Sequence, residues 1–476
     1  MITVVTEKNK EVHVEFSTEE ACQSKSNPMS QVFHGNYQES FLIPAEGRTI
    51  LLMGCGKEKE LTLFRVKEIF AFTASQLTKY KIKEASMDVG YFVDRCGKEA
   101  LTQAVIGLNL GSYSYCYKKS EPKHEQVDGK YELMGIQFFS DKEHFIEEGE
   151  ELSRSICFAR DLSNTPGNHM RPEKLVDSIA EFEEDAGITV TKIKYEELKK
   201  LGMEALCGVG ESSEFLPYLL ILNYKGAPDA NETYGLVGKG VTCDTGGYCL
   251  KGSQSMAGIK GDMAGAAAVA GAVHAIAREK LPLNVTAILP ICENRISPSS
   301  HLPGDVITTY SGKTVEIANT DAEGRLILAD AISYGIRNLG ITKIVDIATL
   351  TGAAWSALGY TIAASLSNED AFYSLFQKGL EHSTETYLRF PYGEEHDKMI
   401  ESNVADLKNM GSNCCGVITA GLFIRQFVED KPWIHLDIAG TAWCETPCFS
   451  FESKGATGAG VTSLYYLIKE AAGLRL

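Results

Sequence analysis

Apolar positions along this chain fall into short blocks of strand length and longer blocks with helical spacing. In the first third the strand-like runs are ITVVT (2–6), VHVEF (12–16), TILLMGCG (49–56), ASMDVGYF (85–92) and ELMGIQFF (132–139). Between them, LTLFRVKEIFAFTASQLTKY (61–80) and EALTQAVIGLNL (99–110) repeat their apolar residues with helical period. Such alternation predicts a mostly parallel or mixed sheet with helices on its faces. DKEHFIEEGEELSRSICFARDLSNTPGN (141–168) is an acidic, then apolar helical stretch that ends in turn residues. It predicts a connection between two domains: an N-terminal α/β domain over residues 1–150, a linker helix over 151–165, and a second domain over 166–476.

The second domain alternates in the same manner. Helical patterns are RPEKLVDSIAEFEEDA (171–186), GAAAVAGAVHAIA (265–277), ILADAISYGI (327–336), AGLFIRQFV (420–428) and a closing VTSLYYLIKEAA (461–472). Strand patterns are ITVTKIKY (188–195), PYLLILNY (217–224), YGLVGKG (234–240), NVTAILPI (284–291), KIVDIATL (343–350) and WIHLDIAG (433–440). Several of these strands are apolar without polar alternation, which implies a sheet buried on both faces. The fold class is therefore α/β, with a smaller N-terminal unit and a larger C-terminal domain around a central mixed, mostly parallel sheet. The helix at 265–277 is so rich in Ala and Gly that it must pack closely against a neighbour. In open sheets of this kind, sites form beyond the carboxyl ends of strands, where Lys239, Asp244 and the loop after ATLTG fall.

Composition narrows the function. At 476 residues the chain is too long for one core. A formal charge of −17 argues against a nucleic-acid or anionic-membrane surface. The N-terminus lacks a basic segment followed by an apolar core, and no apolar run reaches the length of a membrane span, so a cytoplasmic location is expected. The 13 cysteines form no C-x-x-C pair, which reads as reduced thiols. Cys243 and Cys249 flank Asp244, but a neighbour on the same strand points to the opposite face, so packing is the expectation. Cys414–Cys415 reads as a buried pair of small apolar residues.

The candidate chemistry begins at NTDAEGRL (319–326). Asp321 and Glu323 lie two residues apart, Arg325 follows, and a helical pattern starts directly behind them. An acidic turn feeding a helix can hold a cation; it can equally be a plain helix N-terminus. Two upstream stretches favour the cation. VGKGVTCDTGGYCLKG (237–252) supplies Lys239, Asp244 and Lys251, and SMAGIKGDMAGAAAVAGAV (255–273) supplies Asp262. If Asp244, Asp262, Asp321 and Glu323 converge in a poorly solvated pocket, they cannot all stay ionised without compensating cations. Two divalent ions would supply that charge. None of the 10 histidines lies in these motifs, and neither H-E-x-x-H nor G-x-S-x-G occurs, which removes the zincin and serine-hydrolase classes.

GKGVTCDTGG, KGDMAGAA and NTDAEGRL, in this order, resemble the leucyl aminopeptidase family of cytosolic two-metal exopeptidases. The likeness continues through ATLTGA (348–353), ADLKNMG (405–411) and HLDIAGTAW (435–443). It covers most of residues 160–476 and little of the first 150. It implies two divalent ions per chain, Zn2+ or Mn2+, bridged by Asp244 and Glu323. Asp262 and Lys239 would complete the tighter site and Asp321 the more exchangeable one. Lys251 would polarise the scissile carbonyl. Arg325 would hold the developing gem-diolate and a bicarbonate acting as general base. Met256, Ile259, Thr349, Leu350 and Gly352 match substrate-side positions. The resemblance further implies a macro-domain-like N-terminal unit, a homo-hexamer, and peptide substrates with a free N-terminus carrying leucine or another apolar residue. This chain departs from the pattern at Ile259, where the family has Met, which bears on pocket depth and not on the ligands. Two other classes stand beside this reading. A different metal-dependent hydrolase would call for histidine ligands. A non-catalytic macro-domain-type binding protein would be expected to lack some of the seven charged residues, and all are present.

Overall fold

The computed structural model describes residues 2–5, 10–23, 32–45, 47–117, 130–135, 141–412 and 414–474. The chain divides into two compact units, one running up to Cys157 and including Glu445–Lys454, the other comprising Phe158–Cys444 and the residues from Gly455.

The first unit is built on a six-stranded sheet. Its order is Ile2–Val4, Lys130–Met134, Glu84–Asp88, Val12–Ser17, Arg48–Gly54 and Ser40–Ala45, parallel throughout except for the last strand. Helices Leu63–Lys79 and Glu99–Gly111 pack on one another so closely that a Cβ on Gly107 would lie 2.4 Å from the Lys67 carbonyl oxygen. The strand expected over 85–92 is only half formed. It ends at Asp88, whose Oδ1 accepts the Gly90 N–H at 3.0 Å, and helix Gly90–Cys96 begins there. A short polar side chain competing for the backbone in this way ends a strand. Of the runs at 2–6 and 132–139, Thr6 and residues 136–139 lie outside the described residues.

The second unit holds a nine-stranded mixed sheet. From one edge the strands are Tyr387–Arg389, Ala363–Ser367, Trp433–Asp437, Lys343–Ala348, Thr233–Gly238, Asn284–Asn294, Tyr218–Lys225 and Thr189–Lys194. The central four run parallel, and the short strand Gly240–Asp244 pairs parallel with the far end of Asn284–Asn294. The strands Thr233–Gly238, Asn284–Asn294 and Trp433–Asp437 are buried at every position, so near-continuous apolar sequence is what they require. Helix Ala264–Arg278 lies almost entirely buried, and a Cβ on Gly265 would stand 2.3 Å from the Ile347 carbonyl oxygen. That contact is the close approach its Ala- and Gly-rich sequence demands. Ala363–Ser367 gives no strand signal, because AASLS lacks β-branched and aromatic residues; antiparallel pairing with Trp433–Asp437 makes it one. Among the described residues no helix is long and apolar enough to cross a membrane.

Candidate functional site

The carboxyl ends of the parallel strands Thr233–Gly238, Gly240–Asp244 and Lys343–Ala348 deliver Lys239, Asp244 and Thr349 to one place. Gly246 and Gly247, both with positive φ, turn the chain back after Asp244. A Cβ on Gly246 would meet the Cys249 carbonyl oxygen at 2.6 Å and Asp321 Oδ1 at 2.8 Å, so only glycine fits between the two acidic motifs. Asn294 Nδ2 donates to Asp244 Oδ1 at 2.9 Å and to the Thr320 carbonyl at 3.0 Å, tying the motifs together. The NTDAEGRL turn is held from behind by Asn409. Its Oδ1 accepts the Ala318 and Asn319 N–H groups at 2.8 and 3.1 Å, and its Nδ2 donates to the Asn319 carbonyl at 2.7 Å. Glu323 then opens helix Glu323–Leu339.

Four carboxylates and two ammoniums meet in this cradle. Lys239 Nζ stands 2.8 Å from Asp262 Oδ1 and 2.9 Å from Glu323 Oε1, and donates to the Thr349 carbonyl at 3.0 Å. Lys251 Nζ is 2.7 Å from Asp244 Oδ2 and also pairs with Asp321. Burial pushes Asp262, Asp321 and Glu323 above the usual carboxylate range, and the neighbouring ammoniums do not cancel it. Burial alone would lower Lys239 and Lys251, but the surrounding carboxylates outweigh it and hold both above their ordinary value. Each shift has the same origin, a pocket whose fixed charge is more negative than its low dielectric tolerates. Arg325 is buried beside them, pulled down by burial to about 10, and its Nε has no hydrogen-bond partner.

These residues fit a divalent metal. Asp244, Asp262 and Glu323 each bring a carboxylate oxygen within 4.8 Å of the others. Glu323 Oε2 is buried without a hydrogen-bond partner, which for a carboxylate is costly unless a cation takes it up. Oxygen donors with one amine and no sulfur suit zinc or manganese. Asp321 is more exposed and reaches the group through Lys251. Cys243 is buried, feels Arg295, Glu293 and Arg171 more strongly than Asp244, and does not line the cavity.

Above the cradle opens a cavity of about 700 Å³. Ile259, Thr349, Leu350 and Gly352 line it, whereas Met256 is half-buried and does not. The Thr349–Gly352 loop is set by Asp437, a fully buried residue that sequence reasoning missed. Its Oδ1 accepts the Leu350 N–H at 3.1 Å and its Oδ2 the Thr351 hydroxyl at 2.6 Å. Thr349 Oγ1 in turn donates to Asp262 Oδ1 at 2.7 Å. Also missed were Trp355, Tyr360 and Trp443 at the wall, since isolated aromatics carry no positional signal. The expected burial of Cys414 and Cys415 is wrong: both are exposed, and Cys415 lines the cavity. Cys415 has φ +58° and stands immediately before helix Gly416–Arg425, so neither cysteine belongs to a regular element with an inward face.

Residues 157–465 match the catalytic domain of the cytosol aminopeptidase family, and residues 5–122 match that family's N-terminal domain. A protein of Clostridium perfringens (strain 13 / Type A) named "Probable cytosol aminopeptidase" is 40% identical over 445 residues, covering 91% of this chain and 90% of its own length. A protein of the same name from Treponema denticola is 40% identical over 446 residues, covering 93% of each. Among solved structures, the bottromycin maturation enzyme BotP in complex with Mn superposes with a TM-score of 0.88 at 29% identity, over 97% of this chain and 99% of that one. A mutant of tomato leucine aminopeptidase gives a TM-score of 0.88 at 29% identity, over 98% and 96%.

Proposed function

We propose, on the premise that this chain belongs to the cytosol aminopeptidase family and is a metallo-aminopeptidase, that it releases leucine or another apolar residue from the free N-terminus of peptides with two divalent ions. The observation that carries this reading is the buried group of Asp244, Asp262 and Glu323 around Lys239.

Asp244 and Glu323 would be shared by the two ions, Asp262 and Lys239 would belong to one, and Asp321 to the other. When bound, the ions supply Lewis acidity, a water of lowered pKa and an anchor for the substrate amine. Burial pulls Lys239 down and the surrounding carboxylates raise it; cations that neutralise those carboxylates would favour its neutral amine, the form able to act as a donor. Lys251, which lines the cavity and pairs with Asp244, would donate to the scissile carbonyl oxygen as negative charge develops there. Arg325 would hold an anion, either the developing oxyanion or a bicarbonate acting as base, and its buried Nε without a hydrogen-bond partner supports that reading. Thr349, Leu350 and Gly352 form the wall along which the substrate backbone lies, and Ile259 gives that wall a β-branched side chain that sets pocket depth. Zinc and manganese both satisfy the donor set. A cytosolic homo-hexamer completes the reading, and sedimentation of the purified protein as a monomer or dimer would remove that part.

The test of direction uses paired substrates. A leucyl peptide should be hydrolysed, and its N-acetyl form should not, because an amide nitrogen cannot bind as an amine does. Comparable turnover of the two would point to an endopeptidase or another hydrolase.

A further inference from the structure

The thiols of Cys414 and Cys415 are not absorbed by this chemistry. They are adjacent in sequence, the only such pair among the 13 cysteines, and both are exposed. Cys415 lines the cavity together with Ser412, Gly416 and Thr419. Cys414 Sγ lies 3.2 Å from Ser412 Oγ. Hydrogen bonds from Ser412 and from the Cys415 thiol hold Cys414 below its ordinary value, while burial and the same contact push Cys415 above its own. The pair precedes a ten-residue helix, Gly416–Arg425, whose N-terminal end favours a thiolate.

We propose that Cys414 and Cys415 form a two-thiolate site for a soft, thiophilic ligand of the trivalent-arsenic class, and that its occupation obstructs entry to the cavity. Binding stands on the adjacency and exposure of the two thiols; obstruction of peptide rests on the aminopeptidase reading above. A direct disulfide is the poorer use of this pair. Adjacent Cα atoms are about 3.8 Å apart, below the roughly 4.4–6.8 Å that disulfides span, so closing an S–S bond would distort the peptide between them. A bridging atom bonded to both sulfurs removes that constraint, because the sulfurs need not touch. Ligand softness separates this site from the cradle below it. Carboxylates and an amine select harder divalent ions, whereas paired thiolates select soft ones. The step balances without oxidation or reduction. Two S–H groups displace two hydroxyls from an arsonous acid, two As–S bonds form, and two waters leave.

The test treats the metal-loaded full chain with one equivalent of phenylarsine oxide, then washes it with excess monothiol and weighs the intact protein. Lone cysteines release the arsenical to a monothiol, and a chelating pair retains it. One retained phenylarsenic per chain is expected, removable by a small dithiol, with peptide hydrolysis lost in proportion to occupancy. Cys414→Ser and Cys415→Ser should each abolish retention. No retained adduct in the parent, or an adduct that survives in both variants, overturns the site. A retained adduct with undiminished hydrolysis overturns the obstruction. An untreated enzyme that cleaves no free-amine peptide would count against the aminopeptidase reading, while the mass adduct still decides the thiol site.

Discussion

Two lysines that composition treats as equivalent sit differently at the residue scale. Lys239 is buried between Asp262 and Glu323, while Lys251 approaches from the cavity side and pairs with Asp244 and Asp321. Lys239→Ala should weaken retention of one ion, with partial recovery of activity in added metal. Lys251→Ala should keep the parent metal content and lower kcat and kcat/KM together by roughly 10²–10³, the scale of removing one oxyanion donor. Equal metal loss in both variants, or a Lys251→Ala enzyme changed only in KM, would mean that these roles are misassigned. A neighbouring glycine offers a second check on the same cradle. A Cβ on Gly324 would stand 2.5 Å from Lys239 Cε and 2.8 Å from its Nζ. Gly324→Ala should therefore push the ammonium off its carboxylates, costing about 1–3 kcal/mol of stability and weakening metal retention. Parent-like melting and metal content in that variant would contradict the crowding.

The helix Glu323–Leu339 joins the candidate site to stability at the scale of elements. Its first turn carries Glu323 and Arg325, and one turn further on the fully buried Asp330 accepts the Tyr310 N–H at 2.7 Å and the Leu206 N–H at 3.0 Å. Burial pushes Asp330 up to about 7 against the downward pull of those backbone donors. The folded state thus keeps a proton that the unfolded chain releases near pH ~4. The stabilisation from this group is complete below that pH and is lost as pH rises through about 7. Melting temperatures of the parent and of Asp330→Asn at about pH 5 and about pH 8 check the sign. The deficit of the variant should be larger at the lower pH, and parallel profiles would remove Asp330 as the cause. Elements also explain what the sequence could disclose. Lys239, Asp244, Asp262, Asp321 and Glu323 were legible because each ends an apolar run inside a contiguous motif. Asp437 was not, although it lies within HLDIAGTAW, since nothing in that motif marks its partner Leu350, 87 residues away. Nor was the exposure of Cys414 and Cys415, which follows from a left-handed residue before a helix and not from apolar pattern. Ala363–Ser367 became a strand through its partner, and Asp88 cut a strand short through its own side chain.

The whole molecule is strongly acidic, with a formal charge of −17, yet its site concentrates Lys239, Lys251 and Arg325 among four carboxylates. That contrast gives the central claim its content: in the proposed reading the acidic groups of the cradle hold divalent charge, and the cations receive what the reaction makes negative. Chelation should therefore abolish peptide hydrolysis, and replacing the metal should restore it. The most direct measurement counts metal ions per chain by elemental analysis while zinc or manganese is titrated into stripped protein and leucyl-peptide hydrolysis is followed in parallel. Activity should reach its plateau only as occupancy approaches two ions per chain. Full activity with no more than one tightly held ion would contradict the account.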